Sequence, residues 1–363
     1  MRILYGVAGE GMGHATRSHA FLADLVGEHD VLVVASGRAH DYLTQHFPQV
    51  REILGFSLAY EDNAIRRWET VAQNLRGAVT GWPEQLRSFY EVARDFAADV
   101  VISDFESFVL TVARRERVPA ISVDNIMMLD RCRHDEGIIG EDTLDFELAR
   151  QIARTKAAGL HHAIVPTFFR PALRRKATTL VAPVLREAVL AAVAERGEHL
   201  LVYQTSAGDE SLIEALHTTR LPCRVYGVRR DLDEDVVDGS LVYRPFSEPG
   251  FLEDLRTARG VIAGGGFSLL SECVYLHKPA LSIPVAGQFE QTLNARYLAR
   301  LGYGEYAEAP TPEAIGAFLD RLPEHELALA GYAQDGNTEA LAALREQLAL
   351  VALARAGRKG SAS

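Results

Sequence analysis

The constraint that most limits the fold is an alternation that occurs twice. Short apolar, β-branched runs at residues 3–7, 31–35, 100–103 and 120–123 are separated by longer amphipathic stretches, the first of them at about 15–26. Residues 164–165 read as the last strand of this series. The pattern restarts with runs at 200–203, 224–226, 241–243, 260–263 and 280–283. Strands alternating with helical stretches predict βαβ crossovers and parallel sheets. At 363 residues the chain is also longer than one core usually supports. Two open α/β domains follow, 1–180 and 181–363, with the connection in the Arg-, Pro- and Thr-rich residues 166–183. The second domain is expected to end in an Ala/Leu-rich helix over about 338–354 and a short disordered tail from Gly357 to Ser363. In open sheets of this kind ligands sit beyond the carboxyl ends of the strands, so two facing sheets make one cleft.

Charge and cysteine usage narrow the partners. A formal charge of −11 argues against nucleic acid, whose binders carry a basic face. Cys132, Cys223 and Cys273 are scattered, without metal-ligand spacing, and read as reduced thiols. Met1 leads almost directly into the first apolar run, which leaves no room for a signal peptide, and no run is long enough for a membrane span. The expectation is a cytoplasmic protein.

The densest signal lies between residues 261 and 294. An apolar strand ends in Gly264-Gly265-Gly266, and a helix opens with Phe267-Ser268 and carries Glu272 one turn in. Glycines admit close approach of a ligand to backbone, and a helix start offers free N–H groups and a positive dipole end. That combination suits a diphosphate held without a metal, with Glu272 in reach of ribose hydroxyls. A second strand ends in Pro284, and the loop after it leads into Phe289-Glu290-Gln291 and Asn294. The alternative is that the glycines only permit tight helix–sheet packing.

This order of glycine pair, aromatic, Ser, Glu, Lys-Pro, strand ending in Pro, acidic-Gln and Asn-Ala resembles the donor-binding signature of the UDP-glycosyltransferases of the GT-B fold, in which two Rossmann-like domains face each other. The bacterial peptidoglycan-precursor N-acetylglucosaminyl transferases carry a related version. The resemblance implies diphosphate contacts at Gly265, Gly266 and Ser268, ribose at Glu272, and donor sugar at Glu290 and Gln291. Many members have His before the glycine pair; here that position is Gly264. Ser206, after the strand at 200–203, is a further phosphate contact or a helix cap. Phe246, after the strand at 241–243, frames the base or belongs to the core; the core is the expected place for its side chain.

At the other end, residues 7–17 run Val-Ala-Gly-Glu-Gly-Met-Gly-His-Ala-Thr-Arg. The loop fails as a dinucleotide fingerprint, because His14 stands where the third glycine belongs and residues 35–38 lack the acidic ribose ligand. Gly11 and Gly13 instead bring His14 close to substrate at a helix start, with Arg17 one turn on, as loop and acceptor contacts. Asp104 ends a neighbouring strand and can orient the imidazole, as in other His–Asp pairs. UDP-glycosyltransferases use such a histidine as general base; the other reading is that both residues cap backbone. The string Gly11-x-Gly13-His14-x-x-Arg17 also resembles the UDP-sugar hydrolases of nonulosonic-acid pathways, which share this fold.

The resulting expectation is a transferase moving a sugar from a nucleotide-diphosphate sugar to an acceptor hydroxyl, with no metal and no cofactor. A hydrolase of the same fold and a non-catalytic nucleotide-sugar-binding regulator are the alternatives. Asp231-Leu232-Asp233 reads as a solvated turn. Arg66, Arg67, Trp68, Trp82 and Phe89 make a basic, aromatic stretch that lines the acceptor site, touches a membrane-borne acceptor, or is an ordinary amphipathic face. Membrane contact enters only if the acceptor is lipid-linked.

Overall fold

The computed structural model describes residues 1–9, 12–53, 84–204, 210–229 and 231–360. Gly11, Ser206, Arg66, Arg67, Trp68 and Trp82 lie outside the described residues.

The first sheet contains β1 (Arg2–Val7), β2 (Asp30–Ala35), β3 (Val50–Glu52), β4 (Val100–Asp104), β5 (Ala120–Ser122), β6 (His162–Pro166) and β7 (Thr178–Val181). Their order is β3-β2-β1-β4-β5-β6-β7, and each recorded pairing is parallel. The second contains β8 (Leu200–Tyr203), β9 (Cys223–Tyr226), β10 (Val236–Asp238), β11 (Leu241–Tyr243), β12 (Gly260–Ala263), β13 (Ala280–Ser282) and β14 (Gly304–Tyr306). Its order is β10-β11-β9-β8-β12-β13-β14, parallel except for β10 against β11. Central strands are buried along nearly their whole length, as expected when helices cover both faces.

Strand order reverses between β1 and β4 in one sheet and between β8 and β12 in the other. These switch points open the crevices where ligands of doubly wound sheets bind. The loop after β1 leads to His14, β4 ends in Asp104, and β12 runs into the three glycines.

The structure differs from the sequence expectation at the domain join. Residues 166–183 are not only a connection: Thr178–Val181 pairs in parallel with β6, so β6 is not the last strand of its sheet. The final helix, Thr338–Gly360, packs on β6 and β7 of the first sheet. Ala340, Ala343, Leu344, Leu348 and Val351 line one side of it and join the core of the first half. That stripe covers apolar surface of the first sheet that its own crossovers leave open. The helix continues through Gly357 to Gly360 where a frayed tail was expected.

The halves are in contact through an aromatic seam. Phe169 stacks on Tyr297 at 3.8 Å, Phe168 lies parallel to Phe267 at 6.0 Å, and Phe146 meets Phe289 at 5.3 Å. Arg296 and Arg300, on the helix Phe289–Arg300, pair with Asp142 and Asp135 of the first half. No helix among the described residues is long and apolar enough to cross a membrane.

Candidate active site

His14 sits in the first turns of the helix Met12–Leu25. Its Nδ1 lies 2.7 Å from Oδ1 of Asp104, whose side chain is fully buried. Arg17 donates to the same carboxylate through Nε, 3.0 Å from Oδ2, and through a terminal nitrogen to Oδ1. Ser18 donates to Oδ2 at 3.0 Å, and the Tyr5 hydroxyl donates to Ser18. Burial alone would raise the Asp104 pKa, but the Arg17 and His14 charges outweigh it and hold the carboxyl below its ordinary value. An ionised carboxylate only accepts, so the contact with Asp104 places a hydrogen on Nδ1 of His14 and leaves Nε2 as the nitrogen that can face another partner.

Arg17, expected as a loop and acceptor contact, turns inward in the structure. It is 5% exposed and spent on Asp104. Three residues apart on one helix, His14 and Arg17 face the same way, which is why both reach one strand end.

Phe105 follows Asp104 with φ of +58°, a left-handed conformation costly for a bulky residue. The turn brings its ring parallel to the His14 imidazole, centroids 6.0 Å apart, and the Lys156 ammonium lies 3.3 Å from the Phe105 ring centroid. Asp124, just past β5, is buried; burial first, then the nearby Asp104, raises its pKa.

On the facing half, the helix Phe267–Tyr275 starts after Gly266, and no side chain caps it among the described residues. The three glycines divide the two readings between them. A Cβ on Gly265 would lie 2.2 Å from the carbonyl oxygen of Gln291, so this glycine is required by helix–strand packing. A Cβ on Gly266 meets nothing within 4 Å among the described residues, which leaves the helix start open on that side. Gly264 is intermediate, its nearest neighbour being Oε1 of Gln291 at 3.3 Å.

The helix Phe289–Arg300 shapes this turn from behind. Gln291 Oε1 accepts from Gly265 N at 3.2 Å and Val285 N at 3.1 Å. Asn294 donates to Gly265 O and to Glu290 Oε1, both at 3.1 Å. Gln291 is thus engaged with backbone in this structure. Glu290 is half-buried; burial raises its pKa, while Asn294 and the His14 and Arg17 charges across the cleft pull it down.

The two loops meet. A Cβ on Gly13 would fall 2.2 Å from Ser268 Oγ, so the glycine of the first half lets the serine of the second come against its backbone. Glu272 is 8% exposed and bound at both oxygens by Arg186, at 2.8 and 2.9 Å. The sequence reading missed this arginine, because nothing local links residues 86 positions apart. Phe246, expected in the core, is 65% exposed and touches Phe251 at 6.0 Å, so its ring is open to a partner.

The difference between the glycines predicts opposite phenotypes. Gly265→Ala is expected to lower stability by about 1–3 kcal/mol, as overpacking against backbone does. Gly266→Ala should leave the melting temperature near wild type. Chemical denaturation of the two variants checks the contrast, and equal stability of both would count against the packing assignment.

The family model described as glycosyl transferase family 1 matches residues 1–323. An uncharacterized glycosyltransferase of Methanosarcina acetivorans is 23% identical over 356 residues, covering 87% of this chain and 88% of the relative. Another, from Methanosarcina mazei, is 22% identical over 342 residues with the same coverage. Among solved structures, UGT2 of Phytolacca americana, complexed with UDP-2fluoro-glucose and pterostilbene, superposes with a TM-score of 0.63 at 13% identity, covering 94% of this chain and 97% of that one. MurG of Acinetobacter baumannii gives 0.59 at 13% identity, covering 95% and 99%.

Proposed function

Because the chain belongs to glycosyl transferase family 1 and has the GT-B fold, we propose that this glycosyltransferase takes its sugar from a UDP-sugar, without a metal, and uses His14 as general base. The observation that carries the reading is one juxtaposition. The His14–Asp104 pair, at the switch point of the first sheet, lies across the cleft from the open helix start at Gly266, with Gly13 against Ser268.

In this reading the diphosphate rests at the N–H groups following Gly266, with Ser268 as a hydroxyl donor and Gly264 and Gly265 shaping the turn. Glu272 takes the ribose, Phe246 offers its exposed ring to the base, and Glu290 meets the sugar hydroxyls while Gln291 and Asn294 hold the loop. Nε2 of His14 accepts the proton of the acceptor hydroxyl as its oxygen attacks the anomeric carbon. The bond from that carbon to the diphosphate oxygen breaks, and its electron pair leaves with the nucleoside diphosphate. The helix dipole and free N–H groups stabilise that developing charge. Asp104 stabilises the imidazolium formed at His14.

UDP is expected to stabilise the protein by about 2.7 kcal/mol at a hundredfold excess over its dissociation constant, undiminished in EDTA. A thermal-shift series with and without EDTA and added Mg²⁺ measures this. Binding that strictly requires the metal would sink the metal-free reading, and no response to UDP would sink the donor assignment. The UDP-2fluoro-glucose complex of UGT2 and the UDP complex of LpCGTa, both fold neighbours, support the choice of UDP as the first probe.

A further inference from the structure

Arg186 stands where the chain passes from the first sheet to the second, immediately before the short helix Glu187–Leu190. The segment that carries it is tied to the returning segment before the final helix. Leu185 N donates to Asn337 Oδ1 at 2.9 Å, and Asn337 Nδ2 donates back to Leu185 O at 2.8 Å. Gln334 donates to Pro183 O at 2.6 Å, and Glu339 accepts from Ala182 N at 2.6 Å. The two connections between the halves are thereby fastened side by side, with Arg186 at the end of the fastened stretch.

All three guanidinium nitrogens of Arg186 are engaged. Its Nε and one terminal nitrogen grip the two oxygens of Glu272, and the other terminal nitrogen donates to Glu248 Oε1 at 2.8 Å. The side chains of Arg186 and Glu272 are 13% and 11% exposed, whereas Glu248 is 44% exposed. A planar fork that meets a carboxylate at both oxygens fixes its plane as well as its charge. A carboxylate has about four lone-pair sites, so Glu272 retains roughly two for hydroxyl donors.

We propose that Arg186 is a positioning residue for the donor: held in the connection between the halves, it sets the orientation in which Glu272 meets the ribose hydroxyls of a nucleoside diphosphate. This rests on the donor reading given above. Electrostatics agree with the geometry. Burial first raises the Glu272 pKa, Arg186 opposes that rise, and Glu248 adds to it. Without Arg186 a buried carboxylate would face Glu248 with no cation beside it. The arrangement also joins the ribose carboxylate to the connection between the two halves, since any displacement of that segment would carry Arg186 with it.

The test compares UDP with 2′,3′-dideoxyuridine diphosphate by calorimetry, because only the first presents ribose hydroxyls. Wild type should favour UDP by about tenfold or more, the equivalent of one charge-assisted hydrogen bond. Arg186→Gln should bring that ratio close to one, as Glu272→Gln does, and the double variant should lose no more than either single one. Arg186→Lys, which keeps charge but not the fork, should retain an intermediate ratio, and it decides the matter if Arg186→Gln does not fold. A general loosening would weaken both ligands by the same factor and leave the ratio intact; that outcome overturns the proposal. A ratio kept in Arg186→Gln but lost in Glu272→Gln removes Arg186 alone. A wild-type protein that binds UDP without any preference removes the ribose role of Glu272, and the proposal with it. No binding of UDP at all is the separate failure of the donor reading.

Discussion

His14→Ala is expected to lower turnover by roughly 10²–10⁴-fold, the share a positioned base contributes, while leaving UDP affinity close to wild type. The separation follows from the architecture. His14 belongs to the first sheet's crevice, whereas Gly266, Ser268 and Glu272 belong to the second. Its imidazole is held on one nitrogen by Asp104 and on one face by Phe105, so the loss removes Nε2 without dismantling the donor pocket. Steady-state kinetics with titration of UDP measures both quantities. Undiminished turnover would take His14 out of the mechanism, and a large loss of UDP affinity would reassign it to the donor site. The same variant separates transfer from hydrolysis. A transferase should release free sugar from the nucleotide sugar only slowly until an acceptor hydroxyl is supplied. Fast release by wild type without acceptor, abolished in His14→Ala, would favour the hydrolase instead.

The readability of these elements in the sequence follows from how local their causes are. The central strands announce themselves because burial on both faces demands continuous apolar runs, as in Ile3-Leu4-Tyr5 and Val100-Val101-Ile102. Edge strands do not: Val50-Arg51-Glu52 is short and polar, and it becomes β3 only because β2 offers an edge. The two-sheet arrangement was legible from the alternation. The side of the molecule on which the last helix lands was not, since its apolar stripe would suit either sheet.

The site divides in the same way. His14, Gly266 and Ser268 stand out as residue types at the junction of a strand and a helix. Gly265 carries the same signal for a different reason, the carbonyl of Gln291 behind it. Phe246 reads as either a base contact or a core residue, with the core expected for its side chain, yet it stands three residues beyond a short strand, where the chain has become exposed. Arg186 and the inward turn of Arg17 depend on contacts between distant segments, and residue type alone does not announce such contacts.

Asp104 is the residue whose loss should cost most in stability. Its carboxylate is 0% exposed and accepts from Arg17, Ser18 and His14. Asp104→Ala leaves the Arg17 guanidinium, itself 5% exposed, without its anionic partner, and breaking a buried pair in this way costs about 3–5 kcal/mol. The pH dependence has a definite sign. Because the folded-state pKa lies below the unfolded one, near 3.9, the contribution is fully present above that unfolded value and is lost as pH falls through the folded one. Urea denaturation should show a large difference between wild type and Asp104→Ala throughout roughly pH 8 to pH 5, with the carboxylate's contribution lost only on further acidification. A difference that vanished between those two values would mean that the carboxyl is protonated there and that Arg17 does not hold it ionised. Replacing both partners, as in Arg17→Met with Asp104→Leu, removes the desolvated charges together and should recover most of the stability lost in Asp104→Ala. Turnover should stay low in that double variant, since His14 has lost the acceptor that fixes its Nδ1 hydrogen and stabilises the imidazolium. Recovered stability with recovered turnover would show that the pair serves the fold alone.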